Sequence, residues 1–177
     1  SWRAVDLGRI GEHLFVLRAS LGLETELLRG TDRALKDQLG QLAYPLTAWQ
    51  RLNSVPFVDY RITIDDRQVT ARGVQCTIAN SAQMGVSGLT LAQGVSVSDG
   101  LLDVIVISAV DVSALVAIAT SNLLGQDTGV EIQHWQGRTV TVAAEPPQAV
   151  ALGGEVIAET PVTATLWPAA LRVVVRA

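Results

Sequence analysis

At 177 residues the chain fits one domain, and 49% hydrophobic against 17% charged residues is far more apolar than a disordered or collagenous chain. A formal net charge of −4, with Lys36 the sole lysine and the arginines scattered, excludes the basic field of a nucleic-acid binder and a polybasic membrane anchor. A single cysteine, Cys76, excludes an internal disulfide and a thiolate zinc cluster. The most apolar region, residues 101–124, is interrupted by Asp103, Asp111 and several Ser, Thr and Asn, so no run reaches the roughly 18 apolar residues of a spanning helix.

The chain opens Ser1-Trp2-Arg3, without initiator methionine, signal peptide or transit pattern, and the start is expected to be a cut inside a longer gene product or a processed end. Residues 24–29 predict a turn or two of helix stopped by Gly30. From Thr31, a plausible N-cap, Leu35, Leu39, Leu42, Leu46 and Trp49 recur at steps of three and four, a helical stripe that Pro45 kinks or divides. Val58, Tyr60, Ile62 and Ile64 alternate with Asp59, Arg61 and Thr63, the pattern of a half-buried strand. Asp65-Asp66 then makes a tight connection, and Val74, Cys76 and Ile78 continue the alternation on a predicted hairpin partner, with Cys76 as a small core residue.

Residues 101–107 read as a buried strand. A second main helix begins at the cap Asp111 and runs through Leu115, Val116, Ile118 and Ala119 to about residue 124. Five or so short strands follow, around Ile132 and at residues 140–142, 149–152, 162–166 and 171–175. Pro146-Pro147, Gly153-Gly154 and Pro168 punctuate them. Many short strands with turn signals predict a single domain over residues 1–177 that is mainly β with helices (α+β): an antiparallel β-sandwich with two or three helical insertions.

Several chemistries are absent from the sequence. No Walker loop, dinucleotide-binding glycine fingerprint or Gly-x-Ser-x-Gly elbow occurs. His13 and His134 lie far apart, outside any metal or nucleophile motif, and read as surface or satisfied polar residues. Ser96-Val97-Ser98-Asp99-Gly100-Leu101-Leu102-Asp103 is more informative, because an Asp-Gly turn exposes backbone carbonyls beside a carboxylate. A hard cation such as Mg²⁺ or Ca²⁺ takes that set of oxygens. A plain turn explains the same residues, and the pattern leaves both readings open. Gly153-Gly154-Glu155 presents a carboxylate from a rigid turn, which suits a general base and equally a polar hairpin tip.

In order along the chain, several short stretches resemble the C-terminal domain of the bacterial diacylglycerol kinase and related lipid kinases, a superfamily that includes sphingosine kinases. They are Val5-Asp6-Leu7-Gly8-Arg9, Phe15 through Leu21-Gly22-Leu23-Glu24, Leu39-Gly40-Gln41-Leu42-Ala43-Tyr44, and Ala79-Asn80 with Gly85. Asp99-Gly100-Leu101-Leu102-Asp103-Val104 is the closest, and Gly154-Glu155, Thr160-Pro161 and Ala170-Leu171-Arg172-Val173 complete the series. The resemblance implies the lipid-binding, metal-binding and catalytic-base half of an ATP-dependent lipid kinase. ATP would be held by an N-terminal domain with a Gly-Gly-Asp-Gly-Thr loop, which this chain does not contain. By position, Asp99 would bind Mg²⁺ through its side chain, with backbone carbonyls from Ser96 and Leu101. Glu155 would accept the proton of the lipid hydroxyl that attacks the γ-phosphate.

The expected partners are a diacylglycerol-like lipid, the N-terminal domain, a transient membrane surface and, as a further assembly, a homo-dimer; the location is cytoplasmic, peripheral to the inner membrane face. The isolated chain is expected to be inactive. Two departures bear on this. Gly153 stands where the family has an aspartate two residues before the glutamate, and Gln83 and Met84 replace an aromatic pair. The alternative is a non-catalytic lipid- or partner-binding module with a decayed kinase site. A ligand-free sandwich, the third reading, predicts no enclosed apolar pocket.

Overall fold

In the computed structural model the structure describes residues 1–22, 25, 56–81, 94–110 and 130–175. Twelve strands run through them: β1 (Trp2–Ile10), β2 (His13–Phe15), β3 (Arg18–Gly22), β4 (Val58–Ile64), β5 (Arg67–Gly73), β6 (Gln75–Ala79), β7 (Leu102–Val110), β8 (Val130–Gly137), β9 (Thr139–Glu145), β10 (Ala149–Leu152), β11 (Glu155–Glu159) and β12 (Val162–Val174). They form two six-stranded sheets, ordered β2-β1-β12-β9-β4-β5 and β11-β10-β3-β6-β7-β8, with antiparallel pairing throughout. The predicted sandwich is therefore present. The predicted helices lie, Thr25 apart, outside the described residues, and among those residues no helix is long and apolar enough to cross a membrane.

The core follows from period-two alternation. On β4, Val58, Tyr60, Ile62 and Ile64 are buried while Asp59 and Arg61 are exposed. They meet Leu21, Cys76, Ile78, Leu102, Val104 and Val106 of the facing sheet, with Val140, Val142, Val162 and Ala164 closing the layer. Each fully buried aliphatic side chain contributes about 1.5–3 kcal/mol. Gly8 allows the tightest approach, since a Cβ there would fall inside the Phe15 ring.

The two sheets differ on their outer faces. The first exposes polar residues such as Asp59, Arg61 and Thr163 to solvent. In the second, β6 is buried on both faces. Cys76 and Ile78 enter the core, whereas Gln75, Thr77 and Ala79 face the other way together with Ser20, Asp103 and Ile105, all of them buried. A strand buried on both faces reads as an unbroken run of small and apolar residues.

Two strand assignments differ from the sequence reading. The hairpin partner of β4 is Arg67–Gly73, which pairs from Ile64↔Arg67 to Val58↔Gly73. Val74, Cys76 and Ile78 instead carry the chain into the other sheet, where β6 pairs with β3 and β7. The alternation runs on through Gly73, so the crossover leaves no mark in the hydrophobic pattern. Residues 162–166 and 171–175 are not two strands. β12 is continuous over 13 residues, and Pro168 is accommodated at an irregularity in its pairing with β1, opposite Val5 and Leu7. The periodicity marks no strand at β1, β2, β3, β5 or β11.

Cys76 lies in the core, as expected, and burial pushes its thiol up to about 12. The native chain is therefore expected to resist a disulfide-exchange reagent at mildly alkaline pH by about a thousandfold relative to the urea-unfolded chain, since the thiolate is the reactive form. Equal native and unfolded rates would place Cys76 outside the core.

Candidate functional site

A cavity of about 470 Å³ opens on the second sheet, between residues 14–18 with Ser20 on one side and residues 151–154 on the other. Ser20 sits on the outer face of β3 opposite Ala151 of β10, while Phe15 and Leu152, which also line the cavity, belong to or pack against the core. Its walls are apolar along the turn from β2 to β3 and along β10, and backbone is accessible at Gly153-Gly154.

Glu155 follows directly. Gly153 and Gly154 both have positive φ, 56° and 85°, which L side chains rarely adopt. They turn the chain so that Leu152 pairs with Glu155 at the first rung of the β10–β11 hairpin. The Glu155 side chain is exposed, on the turn that forms the cavity edge. At Gly153, where the family pattern carries an aspartate, a Cβ would meet nothing within 4 Å, and its left-handed conformation is one that Asp and Asn tolerate.

The second predicted site, the turn before β7, is held from one residue. Asp6 of β1 is buried, its backbone N–H donates to the Val97 carbonyl at 2.7 Å, and its Oδ2 accepts the Gly100 N–H at 2.8 Å. Its Oδ1 accepts from the Ala169 N–H at 2.7 Å. Within the turn, Asp99 Oδ1 accepts the Leu101 N–H at 3.1 Å and Ser96 Oγ accepts the Ser98 N–H at 3.4 Å, while Arg3 donates to Ser98 Oγ at 2.8 Å. Asp99 is exposed, so its second carboxylate oxygen faces solvent from a turn fixed at both ends. The turn presents one exposed carboxylate, and a hard cation such as Mg²⁺ takes carboxylate and carbonyl oxygens. No group of three or more His, Cys, Asp and Glu side chains suited to a metal occurs among the described residues.

Asn80 joins the two places. Its Nδ2 donates to the Asp6 carbonyl at 2.8 Å and to the Val16 carbonyl at 2.9 Å, and its backbone N–H donates to the Leu17 carbonyl at 2.8 Å. The Asp99 turn and the cavity wall are thus tied to one fully buried amide. Sequence reasoning quoted Asp6 and Asn80 only inside motifs. The available signal was a carboxylate inside β1 and an amide at the end of β6, each next to apolar residues; the amide's two donor bonds are made while its Oδ1 is buried without a partner.

Asp103 was also quoted only within a motif. It is wholly buried, and its Oδ1 takes His134 Nε2 at 2.6 Å and Gln136 Nε2 at 2.9 Å, while Oδ2 has no partner. Burial raises its carboxyl above the usual carboxylate range. The hydrogen bonds from His134 and Gln136 and the His134 charge oppose that shift, and the nearby Asp99 charge adds to it. His134 is accordingly a satisfied polar residue.

Comparison with known proteins gives a consistent picture. Residues 18–175 match the YegS C-terminal NAD kinase beta sandwich-like domain. An uncharacterized protein of Synechocystis is 30% identical over 176 residues, 97% of this chain and 41% of the relative. A probable lipid kinase YegS-like of Pseudomonas aeruginosa is 31% identical over 173 residues, 97% of this chain and 56% of the relative. A diacylglycerol kinase structure from Bacillus anthracis superposes with a TM-score of 0.64 at 15% identity, over 97% of this chain and 53% of that one. At such identity the superposition shows the shared fold. The chain spans about half the length of the curated relatives it matches.

Replacing Asn80 with Asp would set carboxylate oxygens against the carbonyls of Asp6 and Val16. Asn80→Asp is expected to destabilise the chain by about 2–4 kcal/mol in urea unfolding, from lost hydrogen bonds and unpaired buried acceptors. Thr141→Ala, which removes only an exposed hydroxyl pair with Thr163, is expected to cost less than about 1 kcal/mol. Equal losses for the two would remove Asn80 from its organising role.

Proposed function

The chain belongs to the family of YegS C-terminal NAD kinase beta sandwich-like domains, and from that premise we propose that it is the lipid-binding and catalytic-base half of an ATP-dependent lipid kinase of the diacylglycerol kinase type. The observation that carries this reading is the juxtaposition at the β10–β11 hairpin: an apolar cavity, and at its edge a carboxylate presented by a two-glycine turn. An acyl-bearing substrate fits the walls, and Glu155 follows directly on the two glycines that line the cavity. ATP is assigned to the part of the longer relatives that this chain does not span. Where β1 and β12 pair, the exposed Trp2 and Val174 stand directly opposite each other and offer an apolar contact for that part.

In this mechanism the walls orient the lipid, and Glu155 takes the hydroxyl proton as the lipid oxygen bonds to the γ-phosphorus and the bond to ADP breaks. Mg²⁺ would be held by the Asp99 carboxylate with the carbonyls of Ser96 and Leu101, supplying charge neutralisation of the phosphates when bound. Asp6 keeps that turn in place through Val97 and Gly100. A lipid substrate implies work at a membrane surface, and the use of ATP assigns it to the cytoplasmic face.

Gly153 favours a second reading, a lipid-binding module whose chemistry has decayed, since the family's first carboxylate is missing from the turn. Phosphate transfer by the longer protein decides between them. A Glu155→Gln variant is expected to lose about 10²–10⁴ in kcat with little change in KM for a short-chain diacylglycerol. A wild-type rate no higher than that of Glu155→Gln would remove the assigned base, and no phosphate transfer by the wild type would favour the module.

A further inference from the structure

The turn between β2 and β3 combines two features rarely found together. Leu14, Val16 and Leu17 are 48%, 41% and 47% exposed, three large apolar residues within four positions, while Phe15 between them is buried over Gly8. The backbone of the same turn has its carbonyls bonded inward: Val16 O accepts from Asn80 Nδ2, and Leu17 O accepts from the N–H groups of Asn80 and Ser81 at 2.8 and 3.0 Å. Its outward surface therefore offers apolar side chains and no unmet carbonyl at those two residues.

That combination is costly in water and favourable in hydrocarbon, where an unbonded backbone group costs several kcal/mol. The same three residues line the cavity mouth, so whatever covers them is continuous with what fills the cavity. Arg9, exposed and paired in register with Leu14, puts a guanidinium beside the apolar group at the level where a phosphate headgroup would sit. We infer that Leu14, Val16 and Leu17 form a membrane-docking rim that enters the phospholipid interface and opens the cavity directly to a lipid in the bilayer. This rests on the lipid reading of the cavity. It adds the surface by which lipid arrives: a small patch of shallow, reversible insertion, consistent with a catalytic domain that must leave as well as bind.

Co-sedimentation of the chain with vesicles of mixed phosphatidylcholine and phosphatidylglycerol tests it. The wild type is expected to partition onto the vesicles. The Leu14→Ser/Leu17→Ser double variant is expected to lose about tenfold or more, while Ile132→Ser, an exposed apolar change on β8 at the far edge of the sheet, keeps it. Should the double variant misfold, a Leu17→Cys variant labelled with an environment-sensitive dye reads the same contact, because Cys76 is buried. Its emission is expected to shift to the blue on vesicles, and that of Ile132→Cys to stay. No wild-type partition, equal behaviour of the rim and Ile132 variants, or a rim variant that turns a dimer into a monomer in sedimentation would overturn the inference, the last by assigning the rim to a second copy. Binding of a water-soluble short-chain diacylglycerol separates this from the underlying reading. A chain that binds it but not vesicles loses the rim alone, and one that docks through the rim without binding it loses the cavity reading alone.

Discussion

The side-chain amide of Asn80 is the contact on which the site depends. It stands one residue beyond β6, wholly buried, and donates at once to β1 of one sheet and to the turn leading into β3 of the other. Through Asp6 it reaches the turn that carries Asp99, and through Val16 it reaches the wall of the cavity. A buried amide of this kind contributes modest net stability when bonded and costs far more when its partners are stranded. It therefore selects one geometry rather than adding much to the depth of the well. The cation turn and the apolar pocket are parts of one structure because a single side chain is shared between them.

Around that point the sandwich divides its labour by face. The layer between the sheets is a conventional aliphatic core. The outer face of the first sheet is solvated, with threonines and arginines on exposed positions. The outer face of the second is buried and mixed, with Ser20, Thr77 and Asp103 alongside Ala79 and Ile105. Polar groups buried on a sheet's outer face must be bonded or used, and the cavity lies at the end of this row where Ser20 meets Ala151. The apolar surplus in the composition is thus spent on a core, on the wall of a pocket and on its exposed rim.

Much of the architecture was legible in the sequence, and the reasons differ by element. The strands β4, β7, β9 and β10 alternate cleanly or run as unbroken apolar stretches because each faces the core on at least one side. β1 escaped the reading because Asp6 and Arg9 break its pattern. The first is buried for its hydrogen bonds and the second exposed, and neither fact is visible in a hydropathy period. β11 escaped because its residues are exposed or at most half-buried at a sheet edge. The change of sheet at Gly73 is invisible in principle: alternation records which side a residue faces, not which neighbour its strand pairs with. Asp99 and Glu155 were legible as turns and carboxylates, and the motif order gave them roles. The positioning residues were harder to see, since Asp6 and Asn80 act through backbone partners 94 and 64 positions away.

The central claim is that the cavity bounded by residues 14–18 and the two-glycine turn receives a lipid. Amide chemical-shift mapping of the labelled chain during titration with a water-soluble short-chain diacylglycerol tests it most directly. The account predicts saturable shifts gathered at residues 14–20 and 151–155, spreading through Asn80 and leaving Thr141 and Thr163 of the opposite sheet unmoved. Shifts centred on those threonines, or none at concentrations that saturate a lipid kinase, would contradict it.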